Sequence, residues 1–185
     1  MLLYEDIITG DEMFSDAFPL WVAEDLNADF GPSYPRKEVD EVAYEVDCAM
    51  VTFKEGDVDI GANPSTEEQE EGVDDTAQTV NNVVHSFRLQ PTTFDKKSYL
   101  GYLKGYMKAI KAKLQENGCS EADVKAFETK AGAFAKKVVG NFKDFEFYTG
   151  ESMNPEGMVA LLNYREDGVT PYFTFWKDGL KQVKL

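Results

Sequence analysis

Residues 94–142, "FDKKSYLGYLKGYMKAIKAKLQENGCSEADVKAFETKAGAFAKKVVGNF", decide the fold, because within them the apolar pattern takes on the period of a helix. Tyr99, Leu103, Tyr106, Ile110 and Leu114 recur every three or four residues, with Asp95 placed to cap the start and Gly118 to stop the run. A second helix is predicted directly after it. Ser120 in "SEAD" opens a capping box, and Val124, Phe127, Ala131, Phe134, Val138 and Phe142 share one face. Joined by "NGCS", the two amphipathic segments read as an antiparallel helical hairpin over about 95–142.

On either side the period shortens to that of strands. "LLYEDII" (2–8), "VAYEVDCAMVTF" (42–53), "NVVHSFRLQPT" (82–92, closed by Pro91), "FEFYTG" (145–150), "GMVALLNYRE" (157–166) and "PYFTFWKDGLKQVKL" (171–185) all read as β. Asp167-Gly168 and Asp178-Gly179 mark tight turns. Between the first two runs, Pro19, Gly31, Pro32 and Pro35 predict irregular chain with at most short structure. The expected fold is α+β, a mainly antiparallel β core with an inserted helical hairpin. A length of 185 residues suits a single domain, 1–185. Its β core would take 1–60, 80–94 and 143–185, and a flexible acidic loop about 61–79.

That loop belongs to "IGANPSTEEQEEGVDD" (60–75), which carries six acids and no base. It reads first as a solvated acidic surface. Asp57 and Asp59 precede it, but the following residues do not continue the DxDxDG loop with its closing glutamate, so an EF-hand is excluded. The alternative is a loose, weak Ca²⁺ site built from Asp57, Asp59 and Asn63; no other cofactor is required.

The net charge of −15 is unevenly spread: from Lys96 to Lys143 there are 11 bases against four acids, so a +7 module sits in a body carrying −22. Lys97, Lys104, Lys108 and Lys111 fall in a narrow strip of the first helix, roughly 140° from its apolar face at about 100° per residue. No acid occurs from Lys96 to Gln115. A helix face that is merely soluble interleaves both signs, so the stripe points to an acidic partner. A long polyanion would meet the acidic remainder within a Debye length of about 8–10 Å, which argues against nucleic acid.

Catalytic signals are thin. His85 is the one histidine, and within an apparent strand it reads as a structural or surface residue. The chain shows no nucleophile elbow, phosphate loop, HExxH or cysteine pair; Cys48 and Cys119 stand far apart and fit a reducing compartment. "MLLYEDIITGDEMF" lacks a basic leader and an apolar span, so the default location is cytoplasmic, with a nuclear fraction open and no membrane contact expected.

Four stretches resemble the translationally controlled tumour protein family: "IGANPSTEEQE" (60–70), "FKDFEFYTGESMNPEGMVALLNY" (142–164), "DEMFSD" (11–16) and "YREDGVTPY" (164–172). The resemblance runs in order along nearly the whole chain and departs from the family pattern over 17–43. The chain ends in Leu185 where members often end in cysteine, so a monomer is expected rather than a disulfide-linked dimer. It implies an Mss4-like β-tent core with a projecting hairpin. Residues 60–63 would close a core strand, and the mobile loop would follow from Glu67. The zinc thiolates and catalytic cysteine of other proteins on that fold have no counterpart here, so the fold licenses no enzyme activity.

What the resemblance further implies is a non-enzymatic, multi-partner protein of growth and survival, antiapoptotic and open to non-classical secretion. Its partners would be tubulin and microtubules and GTPases of the Rheb or translation elongation-factor type, or the latter's exchange factor. Glu12 matches the glutamate of the Rheb-type contact, and Glu151 in "TGES" is assigned to the same groove. The tubulin or acidic-partner contact falls to Lys97, Lys104, Lys108 and Lys111.

Overall fold

The structure, a computed structural model, describes residues 2–16, 36–54 and 77–185. Eleven strands and three helices are found among them: β1 Leu2–Asp6, β2 Glu12–Ser15, β3 Arg36–Val39, β4 Ala43–Asp47, β5 Met50–Lys54, β6 Ala77–Asn81, α1 Asn82–Phe87, β7 Gln90–Thr92, α2 Lys96–Glu116, α3 Glu121–Gly140, β8 Glu146–Thr149, β9 Ala160–Tyr164, β10 Pro171–Trp176 and β11 Leu180–Lys184. The strands form a six-stranded sheet in the order β3-β4-β10-β9-β8-β7, a three-stranded sheet β11-β1-β2 and the pair β5-β6. Every pairing is antiparallel, so with the helices the architecture is α+β.

Both long helices start where their caps predict. The Asp95 carboxylate accepts from the Ser98 N–H at 2.6 Å, and Ser98 Oγ accepts from the Asp95 N–H at 3.0 Å, closing a capping box. Ser120 Oγ accepts from the Asp123 N–H at 3.2 Å to open α3, a single N-cap bond in place of the expected reciprocal box. Gly118 takes φ +80° after α2, a left-handed turn that glycine makes without strain. The buried faces are Tyr99, Leu103, Tyr106 and Ile110 on α2, and Val124, Phe127, Ala131, Phe134 and Val138 on α3. They meet the sheets through aromatic contacts: Tyr99 with Phe147 at 5.1 Å between ring centres, and Phe134 edge-on to Trp176 at 5.3 Å. The core continues through Tyr4 stacked on Phe14 at 4.3 Å and Phe14 against Phe175 at 4.8 Å.

Four local readings change. The stretch 82–92 is not one strand: residues 82–87 form α1, and Pro91 lies inside β7 instead of closing a strand. Asn81 Oδ1 accepts from the Val83 and Val84 N–H groups, and Arg88 ends the helix in the left-handed region at φ 54°. Pro91 is tolerated because β7 is an edge strand, where a missing N–H need not cost a ladder bond. The run 42–53 breaks at Cys48-Ala49, sending β4 and β5 to different sheets. Ala77–Thr79, assigned to the acidic loop, already belong to β6, while the rest of 61–79 lies outside the described residues. Asp178-Gly179 lie in a short 3-10 turn that carries the chain from the six-stranded to the three-stranded sheet, so it makes no hairpin.

Candidate functional site

Three chain segments converge at one cleft of about 400 Å³, bordered by Gly10, Asp11, Glu12, Ser86, Phe87, Arg88 and Glu151. Glu12 opens β2 with its side chain exposed, while Met13, Phe14 and Ser15 behind it are buried and hold the strand. Asp11 is committed: its Oδ2 accepts from Ser152 Oγ at 2.5 Å and from the Ser152 N–H at 3.3 Å. Gly150 makes that approach feasible, since a Cβ there would lie 2.4 Å from Asp11 Oδ2. The neighbouring Glu151 accepts from Arg88 Nη1 at 2.8 Å.

Arg88 binds its proton more tightly than usual because of its hydrogen bond to Glu151 and that carboxylate's charge, with Glu12 adding to the field. The Glu12 carboxylate itself has no ion pair within 4.0 Å among the described residues. The cleft therefore presents one unpaired acid beside a neutralised pair, an arrangement suited to receiving a cationic side chain. Glu12 and Glu151, which the resemblance assigns to one groove, both border this cleft.

On α2 the structure leaves Lys97, Lys104 and Lys108 exposed. Lys111 is half-buried and bridges the hairpin to Glu128 of α3 at 2.7 Å, so the fourth lysine of the stripe is partly neutralised by an acid that α2 does not carry. Lys104, Lys108 and Lys111, but not Lys97, border an elongated groove of about 490 Å³ between α2 and α3, with Leu100, Leu103 and Met107 on one wall and Phe127, Ala131, Gly132 and Ala135 on the other.

A family match to "Translationally controlled tumour protein" covers residues 1–181. The chain belongs to the translationally controlled tumour protein family. It is 62% identical to the Translationally-controlled tumor protein homologs of Yarrowia lipolytica, over 185 residues, and of Gibberella zeae, over 186, with the whole of each chain covered. Among solved structures it is similar to the Translationally Controlled Tumor-associated Protein p23fyp from Schizosaccharomyces pombe, with a TM-score of 0.76 and 55% identity over all of both chains. It also resembles the translationally-controlled tumor protein of Caenorhabditis elegans, with a TM-score of 0.68 and 29% identity, covering 100% of this chain and 99% of that one.

The family's characteristic words acquire physical reasons in this fold. In "MNPEGM" (153–158), Tyr102 Oη donates to the Gly157 carbonyl at 2.6 Å and accepts from the Val159 N–H at 2.9 Å. Asp6 Oδ2 accepts from the Met158 N–H at 2.7 Å. In "YREDGVTPY", Arg165 pairs with Glu45 and Asp47 and covers the Tyr172 ring at 3.9 Å. Arg88, Asp11 and Ser152 were not singled out from the sequence. Arg88 and Glu151 are 63 positions apart and Asp11 and Ser152 are 141 apart, beyond the reach of any local pattern. His85 sits in the last turn of α1 rather than in a strand. The calcium candidates Asp57, Asp59 and Asn63 lie outside the described residues, and among those described no three His, Cys, Asp or Glu residues cluster to hold a metal. No helix among them is long and apolar enough to cross a membrane.

Proposed function

We propose that this member of the translationally controlled tumour protein family is a non-enzymatic, cytoplasmic interaction protein that regulates growth and survival. It engages a GTPase of the Rheb or elongation-factor type through the Glu12–Glu151 cleft, and tubulin through the lysines of α2. The observation that carries the reading is the convergence of β2, the C-terminal end of α1 and the loop after β8 on a cleft where Glu12, with no ion pair among the described residues, lies beside the Arg88–Glu151 bridge. Such a surface regulates by binding one nucleotide state better than another and needs no covalent step.

Release of fluorescent GDP from a Rheb-type GTPase of the same cell, with native protein and with Glu12→Ala, tests it. The native protein is expected to bind the GTPase and alter the release rate. Glu12→Ala should bind about tenfold more weakly, the equivalent of about 1.4 kcal/mol. Equal binding and equal release with the two proteins would overturn the assignment.

A further inference from the structure

We infer that the groove between α2 and α3 is a docking slot for an acidic amphipathic helix of a partner protein. The inference deepens the reading of the α2 lysines as a surface for acidic partners, and rests on it for the sign of the charge. It adds that the partner must also bring apolar anchors.

Shape is the first argument. The floor is apolar and buried at Leu103, Phe127 and Ala131, while Leu100 at its end is 40% exposed. Gly132 lies on the α3 wall, and a Cβ built on it would meet nothing within 4 Å, so the hairpin's own side chains do not fill the space above it. From Leu100 to Lys111 the groove follows α2 for about 16 Å at ~1.5 Å per residue, three helical turns. A trough of that length between two helices accepts the ridge of a third helix, read by anchors spaced three and four residues apart. Met107 on the α2 wall adds an unbranched side chain that adapts to different anchors.

Charge is the second argument. Lys104, Lys108 and Lys111 border the slot from α2, and Glu128 is the one acid among its described lining residues, already paired with Lys111. Lys104 and Lys108 have no carboxylate within 4.0 Å among the described residues. The rim is therefore positive on a chain of net charge −15, and an acidic helix finds its attraction at this slot rather than on the acidic remainder. A second copy of the chain is the less suited occupant, since two bodies of −15 repel. A bare acidic coil would satisfy the lysines and leave the apolar floor in water.

The test uses the full-length chain and two fluorescein-labelled helical peptides. One carries leucines at helical spacing among glutamates; the other has every leucine replaced by glutamine at unchanged charge. Anisotropy titrations are run with native protein, Gly132→Leu and Lys104→Glu/Lys108→Glu, and microtubule co-sedimentation is run with the same proteins. Gly132→Leu fills the slot and replaces a mid-helix glycine with a strong helix former, so its Tm is expected to hold or rise.

The expected result is that the leucine peptide binds native protein at least tenfold more tightly than the glutamine peptide, and that Gly132→Leu weakens it at least fivefold. Equal affinity for the two peptides, or no effect of Gly132→Leu, overturns the slot. If the charge reversal still lowers microtubule binding in that case, the lysine reading stands without the groove. Conversely, leucine-peptide binding lost in Gly132→Leu, with microtubule binding untouched by the charge reversal, keeps the slot and removes the tubulin assignment. Self-association of the native chain that disappears in Gly132→Leu assigns the slot to a second copy and overturns the partner-helix inference.

Discussion

Gly157 and Gly105 are both glycines without positive φ, yet they answer to different constraints. A Cβ at Gly157 would lie 2.6 Å from Thr9 Cγ2 and 2.8 Å from Asp6 Oδ2. Asp6 is 3% exposed, and its carboxylate accepts from the Ile8 and Met158 N–H groups and from Thr9 Oγ1. Displacing it strands a buried acceptor set as well as forcing apart packed atoms. Gly157→Ala is therefore expected to lower stability by about 1–3 kcal/mol. Gly105 lies within α2 with nothing within 4 Å of an added Cβ, so Gly105→Ala should raise stability by about 0.5–1 kcal/mol. Urea unfolding of the two variants against native protein checks the pair; shifts of the same sign would refute the steric account. The sequence shows Gly157 as a letter in a family word, but its reason lies in Asp6, on the first strand of the chain.

Among the elements, α2 and α3 announced themselves because they are long, periodic and capped, so their local rules agree with their tertiary environment. The short α1 did not. Six residues make fewer than two turns, too few for an intrinsic helix, and Val83 and Val84 favour strands; Asn81 capping and the burial of Val83 and Phe87 outweigh that preference. The β9–β10 hairpin was legible from Asp167-Gly168, and its chemistry makes a prediction about acid. The Asp167 carboxylate accepts from the Thr170 N–H at 2.8 Å, from Thr170 Oγ1 at 2.7 Å and from the Val169 N–H at 2.8 Å. These bonds, those from Thr170 foremost, favour the ionised form and hold its pKa below the usual carboxylate value. Because the folded pKa is the lower one, this stabilisation is complete above the unfolded value of ~3.9 and disappears as pH falls through the native value. Asp167→Asn should melt below native protein at pH 7, and the gap in Tm should narrow as the pH drops below ~4. A gap that stays constant from neutral pH into acid would show that the turn carboxylate does not contribute in this way.

Over the molecule, charge separates the hairpin from the remainder more sharply than composition does, with +7 between Lys96 and Lys143 and −22 elsewhere. Lys104→Glu with Lys108→Glu is expected to weaken microtubule binding and to reduce its dependence on ionic strength, because exposed charges act within a Debye length of about 8 Å at physiological salt. The Tm should hardly move, since both side chains are exposed and neither has an ion pair among the described residues. Co-sedimentation at low and physiological salt, with Tm measured alongside, checks both halves; unchanged binding at either salt would release the lysines from this role. What the sequence could determine alone was whatever local chemistry expresses: helical and strand periods, the caps at Asp95 and Ser120, the turn at Asp167, the charge asymmetry and the words that mark the family. What only the tertiary structure decided was every juxtaposition across the chain. β4 and β5 part to different sheets, Lys111 is tied to Glu128, and Arg88, an arginine that no motif marked, enters the cleft of Glu12 and Glu151 and pairs with Glu151. Periods and caps are settled by neighbours a few residues away, whereas sheet order and cross-chain ion pairs follow from how all the buried faces pack at once.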